Sequence, residues 1–413
     1  GGSEANPTGL AVVAIASVST LFRMGLLHTL LVVGSVVAGL IGLWKLATVF
    51  PSTRARLAAL AIYAASPLVG GAMAIGSLTT LVSYAAVPWI IHTLRRAGGV
   101  ETADPRTARM DIADGIVELS FPERLRRTAQ VAIVVALAAS FDPVVMVVAA
   151  LLAVMLAIGT LVALASWITA LRYVLVGIVA VLVAGVLNVP WSLAWRWDDL
   201  VGPSPIGDPG RGLRALASFE IGPTNFAALA LALYLPVIAA IMLARAWRLT
   251  WAVRSGVIVV GFGALAVLGD RAALPVAAPQ AGVLLVPVAV GLADLDVRGG
   301  SCGWRQPLGL AASVAIVVGL VPGLLSVGPG DWRAPSTPLP RLIEARLPDV
   351  GTESPGDYNV LLLGDARLLP VPATEYRNGV SFALIGADDL TFADRYAAPP
   401  GVDDAVIEAL DQI

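Results

Sequence analysis

Residues 144–166 read VVMVVAALLAVMLAIGTLVALAS, and residues 172–190 read RYVLVGIVAVLVAGVLNVP. The first run contains no charged residue, and the second contains only Arg172, at its start. A helix needs about 20 predominantly apolar residues to cross the hydrocarbon core of a bilayer. This stretch therefore predicts two membrane-spanning helices joined by a short connection.

The rest of the chain has the same character. Of its 413 residues, 57% are hydrophobic and 14% are charged, and the mean hydropathy is +0.83. Soluble domains carry roughly 45–50% apolar and about 25% charged residues. We therefore expect an all-α polytopic membrane protein of about ten transmembrane helices, with the lipid bilayer as its partner. The predicted spans are 26–49, 56–70, 77–94, 128–141, 144–166, 172–190, 224–243, 255–269, 279–293 and 308–326, preceded at 10–22 by a shorter interfacial or re-entrant helix.

Basic residues are concentrated in alternate loops. The loops at 45–56, 95–127, 245–254 and 298–305, with the turn around Arg172, hold 16 of the 27 cations. Cytoplasmic loops of membrane proteins carry an excess of Lys and Arg. We therefore expect a multi-pass plasma-membrane protein whose basic loops are cytoplasmic and whose termini both face outside.

The composition changes after the last predicted span. Residues 359–365 (NVLLLGD) and 379–386 (GVSFALIG) are short apolar runs bounded by Gly, Asn or Asp, a pattern that predicts buried strands. Helices are expected at 341–347 and 403–410. The chain therefore divides into a polytopic transmembrane domain and a small C-terminal extracytoplasmic α/β segment that we expect to be incomplete. The predicted domains are 1–326 and 327–413.

A loop at 191–225, predicted on the outer side, combines three residue types that bind glycans and phosphates. Aromatic rings stack on sugars, arginines pair with phosphate oxygens, and carboxylates accept a proton from an acceptor hydroxyl. An aromatic belt at the membrane surface is the simpler interpretation of the tryptophans. The candidate substrate-binding residues are Trp191, Trp195, Arg196, Asp198, Asp199, Arg211, Arg214 and Glu220.

The remaining polar residues favour structural roles. Asp142, before Pro143, is expected to cap a tight turn. His28 and His92 are far apart in sequence, and the single Cys302 excludes a cysteine-rich zinc site, so any metal site would be carboxylate-based. No cofactor is evident, and no nucleic-acid partner is expected because there is no basic stripe and the net charge is −2. The sequence has no ATPase, serine hydrolase or zincin motif.

A series of short motifs with apolar flanks runs in order along most of the chain. They are FPSTRAR (50–56), IYAASP (62–67), YAAVPW (84–89), FEIGP (219–223), WRLTWAVR (247–254), GWRQ (303–306), DWRAP (331–335) and LLLGDARLLP (361–370). The series resembles the polytopic membrane region of actinobacterial family-2 glycosyltransferase fusion proteins. That region is similar to the C-type glycosyltransferases, which use polyprenyl-phosphate-linked sugars and include arabinofuranosyltransferases.

The resemblance implies the membrane portion of a glycosyltransferase in cell-envelope polysaccharide or glycolipid assembly. It implies a polyprenyl-phosphate lipid or sugar acceptor at the outer leaflet, an N-terminal family-2 glycosyltransferase domain as partner, and room for a divalent metal in the intact protein. C-type enzymes carry their metal-binding or catalytic acid in the first outer loop. We expect the chain to begin beyond that loop, since Gly1 follows no Met or basic leader, and no catalytic residue is assigned.

Two other functional classes remain open. One is a transporter or flippase of lipid-linked glycans, which should show inverted repeats and midplane charges; the sequence shows broken helices but no repeat. The other is a non-catalytic envelope-assembly scaffold, which would lack acids, arginines and aromatic rings that converge on one outer cavity.

Overall fold

The structure is a computed structural model that describes the helices of the bundle and three strands. The statements below concern those residues. They are 7–50, 52–74, 78–100, 119–189, 191–193, 195, 200, 216–219, 226–244, 247–270, 281–294, 305–327, 360–364, 374–377 and 380–385.

The chain divides into two compact units, Pro7–Ala334 and a second unit that contains Pro335–Ile413. The described elements of the first unit are all helical. They are α1 (Pro7–Ser19), α2 (Met24–Leu46), α3 (Thr53–Ala64), α4 (Pro67–Ala74), α5 (Leu78–Ala97), α6 (Phe121–Ala139), α7 (Val144–Val162), α8 (Trp167–Leu187), α9 (Leu235–Leu243), α10 (Trp247–Asp270), α11 (Ala281–Asp294) and α12 (Arg305–Val327), with 3₁₀ turns at Ala47–Val49, Trp191–Leu193 and Ala227–Tyr234.

Six helical segments of the described chain are long and apolar enough to cross a membrane. They are Thr29–Val49, Thr53–Met73, Val144–Val162, Trp167–Leu187, Trp247–Leu268 and Pro307–Leu325. They overlap six of the predicted spans. The spans predicted at 77–94, 128–141, 224–243 and 279–293 also contain helices, but these are shorter or more polar. The count of ten transmembrane helices therefore stays a prediction.

Helix α5 can carry polar side chains because other helices surround it. It contacts α2, α6, α8 and α11, and its Thr80, Ser83 and Thr93 are buried. The Thr93 hydroxyl donates to the Trp89 carbonyl at 2.7 Å. Polar side chains in a membrane bundle are stabilised when they face neighbouring helices. An average of hydropathy over the helix therefore underestimates how well a helix in this position fits into a membrane bundle.

The outward faces of the peripheral helices are apolar. On α8, Leu171, Leu175, Ile178, Leu182 and Val186 are all exposed, and their spacing of three or four residues places them on one face. Contiguous apolar surfaces of this extent are rare on soluble monomers. The stripe is suited to contact with lipid.

Two tyrosines link α3 to α5 by a reciprocal pair of hydrogen bonds. The Tyr63 hydroxyl donates to the Tyr84 carbonyl at 2.6 Å, and the Tyr84 hydroxyl donates to the Tyr63 carbonyl at 3.1 Å. The two rings stack with centroids 4.2 Å apart. We call this arrangement the tyrosine pair.

A proline follows each of these tyrosines by four residues. Pro67 follows Tyr63, and Pro88 follows Tyr84 inside α5. Proline has no backbone N–H and leaves the carbonyl four residues earlier without its helical donor. The Tyr63 hydroxyl donates to the Tyr84 carbonyl, which Pro88 leaves without a helical donor. The Tyr84 hydroxyl donates to the Tyr63 carbonyl, which Pro67 leaves without one. The two Y-A-A-x-P sequences, at 63–67 and 84–88, therefore form a matched pair of segments.

Glycines on α2 allow α5 to approach. A Cβ added to Gly39 would lie 2.7 Å from Cε1 of Tyr84, and one added to Gly42 would lie 2.6 Å from Cδ1 of Trp89. The Trp89 indole N–H donates to the Ala38 carbonyl at 2.8 Å. Small residues in membrane helices permit such close backbone contact.

The break between α3 and α4 at Ser66-Pro67 is covered by protein. The Ser66 hydroxyl donates to the Tyr63 carbonyl at 3.1 Å. Gly323 of α12 packs directly against the Ala65 carbonyl, where any side chain at 323 would clash. Irregular backbone at membrane depth is tolerated where neighbouring groups satisfy it.

The short helix predicted at 10–22 overlaps α1 (Pro7–Ser19), which is 13 residues long. Thirteen residues span about 20 Å, less than the roughly 30 Å hydrocarbon core. A Cβ added to its Gly9 would lie 2.7 Å from the Ser140 carbonyl oxygen, so α1 packs against the α6–α7 turn. Its interfacial or re-entrant position stays a prediction.

The second unit contains three short strands, β1 (Val360–Gly364), β2 (Thr374–Arg377) and β3 (Val380–Ile385). They form an antiparallel sheet of order β1-β3-β2, with Val360 opposite Ile385. β1 and β3 lie within the predicted strands 359–365 and 379–386. The helices predicted at 341–347 and 403–410 lie outside the described residues, so an α/β segment stays a prediction.

Candidate functional site

Two ends of the helical bundle carry polar residues. We call one of them the Asp142 end, which contains Ser83, Asp142, Asn188 and Trp191. We call the other the Arg254 end, which contains Arg254 and the residues around it. Asn188 connects two helices at the first of these ends, since its side-chain amide donates to the Ala136 carbonyl of α6 at 3.2 Å and to the Ala184 carbonyl of α8 at 2.9 Å.

The Trp-rich loop begins in a fixed turn at the Asp142 end. The Ser192 hydroxyl donates to the Gly185 carbonyl at 2.7 Å, and its backbone N–H donates to the Asn188 carbonyl at 3.0 Å. Trp191 begins a 3₁₀ turn with 36% of its surface exposed, and Trp195 is half-buried. Trp191 is therefore presented at the bundle surface from a rigid base.

Six of the candidate residues lie outside the described part of the chain. They are Arg196, Asp198, Asp199, Arg211, Arg214 and Glu220. Phe219, just before the last of them, is fully buried with φ 56° and stacks on Tyr234 at 5.6 Å. A positive φ at a bulky residue is uncommon and needs tight packing to hold it. The far side of the loop is thus anchored, whereas convergence of the candidates stays a prediction.

Asp142 caps the turn between α6 and α7, as its position before Pro143 predicted. Its Oδ1 accepts the Val144 backbone N–H at 3.1 Å, and its Oδ2 accepts the Ser83 hydroxyl of α5 at 3.3 Å. Asp142 is buried. Both carboxylate oxygens are engaged in structural contacts, and the residue is not a candidate for acid–base chemistry.

The position of Arg254 differs from what the sequence predicted. Residues 245–254 were expected to form a cytoplasmic loop, but α10 begins at Trp247 and Arg254 lies two turns inside it. The side chain is fully buried. Its Nε donates to Oγ1 of Thr160 on α7 at 3.0 Å. Gly159 allows the approach, because a Cβ there would lie 2.8 Å from Cα of Arg254.

Aromatic rings enclose the Arg254 guanidinium. Its Cζ lies 5.0 Å from the Trp251 ring centroid and 5.8 Å from that of Tyr173 on α8. A cation over an aromatic face is attracted by the ring quadrupole, and more strongly where water is excluded. A Cβ at Gly98, after α5, would lie 2.7 Å from Cε1 of Tyr173. Arg254 thus joins α7, α8 and α10 near the end of α5. We conclude that its role is structural.

Glu123 organises the start of α6 at the same end. Its Oε1 accepts from Nη2 of Arg126 at 2.8 Å and from Nε of Arg127 at 2.6 Å. Arg127 also donates from Nη1 to the Arg96 carbonyl at 2.9 Å, which connects α6 to α5. The hydrogen bonds from Arg126 and then Arg127 favour the carboxylate and lower the pKa of Glu123 to about 2.

A pH dependence of stability follows from this shift. Because the folded-state pKa of Glu123 is depressed from 4.5 to about 2, its contribution is present above pH 4.5 and is lost as the pH falls through that window. Glu123→Gln is expected to lower the Tm by about 2 °C or less at pH 6, since exposed ion pairs are weak. Melting curves of both proteins from pH 6 to pH 2.5 test this. A Tm difference that stays constant across that range contradicts it.

The described histidine and acidic side chains do not form a metal centre. Among them, no group of three or more His, Cys, Asp or Glu residues is close enough to hold an ion. His92 is buried, with its ring 6.1 Å edge-on from Trp89, and the side chain of His28 lies outside the described set. The divalent metal expected for the intact protein stays a prediction.

No family model matches the chain, and neither a curated protein nor a solved structure matches it.

Proposed function

We propose that the chain is the membrane portion of a glycosyltransferase of cell-envelope polysaccharide or glycolipid assembly, which handles a polyprenyl-phosphate-linked sugar at the outer leaflet. The observation that carries the proposal is the exposed Trp191 at the Asp142 end. Trp191 is the first residue of a loop whose sequence up to Phe219 contains two further tryptophans, two adjacent aspartates and three arginines. Rings of this kind stack on sugars, and arginines bind phosphate.

The distribution of charge supports an orientation in the plasma membrane. Four cations lie on helices whose ends meet, or pack, around Arg254. They are Lys45, Arg96, Arg127 and Arg172. The positive-inside rule assigns such an end to the cytoplasm, which puts Trp191 outside. Labelling of Leu193→Cys by an impermeant maleimide in intact cells, with Cys302→Ser as background, tests this. Labelling that requires cell lysis contradicts it.

The activity is tested in the intact protein, in membranes supplied with a radiolabelled polyprenyl-phosphate sugar. Asp198→Asn and Asp199→Asn are compared with Asp208→Asn, the same change elsewhere in the loop. We expect one of the first two to lower sugar transfer by about 10²-fold, the usual contribution of a general base. Asp208→Asn is expected to retain the wild-type rate. Wild-type rates for both Asp198→Asn and Asp199→Asn exclude these acids as essential groups.

The rival functions give different results in the same membranes. A transporter or flippase moves the labelled lipid between leaflets without forming a new glycosidic bond. A non-catalytic scaffold does neither, and its loss alters envelope composition only through its partners. A partner expected for the transferase is an N-terminal family-2 glycosyltransferase domain.

A further inference from the structure

The corner between α2 and α3 presents three cations at the Arg254 end. Lys45, in the last turn of α2, and Arg54, in the first turn of α3, are exposed, and Arg56 is half-buried. Between them, the ring of Phe50 packs 5.9 Å from that of Trp247 on α10. We call Lys45, Arg54 and Arg56 the basic corner.

Arg56 is held in position by the corner itself. Its Nε donates to the Phe50 carbonyl at 2.8 Å, and its Cζ lies 5.7 Å from the Trp44 ring centroid. One N–H and the ring face together fix the plane of the guanidinium. Its two terminal nitrogens make no hydrogen bond within the described structure. A guanidinium fixed in this way is preorganised to bind an anion, since little side-chain entropy remains to be lost.

Acids are absent from this part of the chain. The sequence from residue 5 to residue 100 contains six cations and no Asp or Glu. The ion pairs present in the described structure are those of Arg126 and Arg127 with Glu123 on α6, and none involves the basic corner. The cations of the basic corner thus have no carboxylate partner among the described residues, which leaves them available to an external anion.

Apolar stripes on both helices lead to the basic corner. On α2, Val33, Val37 and Ile41 are exposed at intervals of four residues, and Lys45 is the next position on that face. On α3, the exposed Leu57 and Ala61 follow Arg54 by three and seven residues, which places them on the same face. A molecule that covers both stripes and corner is therefore apolar along the helices and anionic at the Arg254 end.

We propose that the basic corner binds the phosphate of an anionic phospholipid whose acyl chains lie along the exposed faces of α2 and α3. A free phosphate ion satisfies the cations but leaves the adjoining stripes uncovered. The headgroup of a phospholipid satisfies both, and basic residues at a membrane surface attract anionic lipids. This site is at the opposite end of the bundle from Trp191, and it does not depend on the proposed transferase activity.

The purified protein in a neutral detergent is titrated with phosphatidylglycerol, with phosphatidylcholine and with inorganic phosphate. Lipid retention is measured by native mass spectrometry, and the Tm by tryptophan fluorescence. Lys45→Gln/Arg54→Gln removes two exposed cations and is compared with Arg124→Gln/Arg172→Gln, which removes two from α6 and α8. Each cation near an anionic surface contributes a factor of about five in affinity, so we expect the first pair to weaken phosphatidylglycerol binding about 25-fold. The second pair is expected to weaken it by less than about three-fold.

A conservative variant tests the geometry separately from the charge. Arg56→Lys keeps the cation but cannot retain both the Nε bond to Phe50 and the planar contact with Trp44. It is expected to weaken phosphatidylglycerol binding about five-fold with the Tm of the lipid-free protein unchanged. Equal weakening by the two double variants indicates diffuse attraction and overturns the proposal. Unchanged binding in Lys45→Gln/Arg54→Gln, or an equal Tm rise with inorganic phosphate or phosphatidylcholine, also overturns it.

Discussion

Replacement of Tyr63 and Tyr84 together by phenylalanine is expected to lower the free energy of unfolding by about 3 kcal/mol, since a buried acceptor left without its donor costs about 1–3 kcal/mol. Tyr63→Phe is expected to account for about 2 kcal/mol of this, because the Tyr84 carbonyl then loses the hydroxyl that compensates for Pro88. Tyr84→Phe is expected to cost less, since the Tyr63 carbonyl keeps the Ser66 hydroxyl at 3.1 Å.

A double-mutant cycle separates this explanation from simple loss of packing. Pro88→Ala restores a backbone N–H that can donate to the Tyr84 carbonyl. In that background, Tyr63→Phe is expected to cost less than about 1 kcal/mol. Tyr234→Phe is the matched control, because its buried hydroxyl donates no hydrogen bond within the described residues. Equilibrium unfolding in mixed SDS micelles provides the measurement. An equal cost of Tyr63→Phe in both backgrounds contradicts the proposed role of the prolines.

Arg254→Ala is expected to lower the free energy of unfolding by about 4 kcal/mol, because it combines a large cavity with the loss of a charged hydrogen bond. The side chain has no exposed surface, and its contacts with Thr160, Tyr173 and Trp251 come from three helices. Arg254→Lys is expected to recover only part of the loss, since an ammonium group cannot reproduce the planar contacts.

Arg248→Ala is the control on the same helix. Arg248 is half-buried, and its Cζ lies 5.7 Å from the ring centroid of the adjacent Trp247. A contact of this kind at a partly exposed site is worth about 0.5–1 kcal/mol. Unfolding in mixed SDS micelles again provides the comparison. A loss for Arg254→Ala no larger than that for Arg248→Ala would show that Arg254 does not tie the helices together.

The hydrophobic pattern predicted the long lipid-facing helices because their apolar residues are contiguous. It identified 144–166 and 172–190, which overlap α7 (Val144–Val162) and α8 (Trp167–Leu187). The turn was expected around Arg172, but α8 begins five residues earlier, at Trp167, because the run from Trp167 continues the apolar helix. It could not show that Arg254 is enclosed by Tyr173 and Trp251, since an isolated arginine beside an apolar run looks like a loop charge. The Asp142 cap was predictable because its partner, Val144, is only two residues away.

The tyrosine pair shows why other features could not be predicted from the sequence. Tyr63-Pro67 and Tyr84-Pro88 are visible as a repeated pattern, but the pattern does not state that each tyrosine serves the other segment. The candidates at the Asp142 end have the same limitation. Trp191 was correctly expected at the end of a span, whereas the spacing of Asp198, Asp199 and Glu220 contains no information on whether they converge.

The contact between Gly323 and the Ala65 carbonyl has a consequence for the order of biosynthesis. Ribosomes add about 5–20 residues per second, so residue 323 is made roughly 13 to 52 s after residue 65. Until then the broken segment between α3 and α4 lacks the helix that covers it in the finished bundle. The nascent chain therefore has to hold this break without Gly323 while the intervening helices are made, with the tyrosine pair as the contact already available from α5.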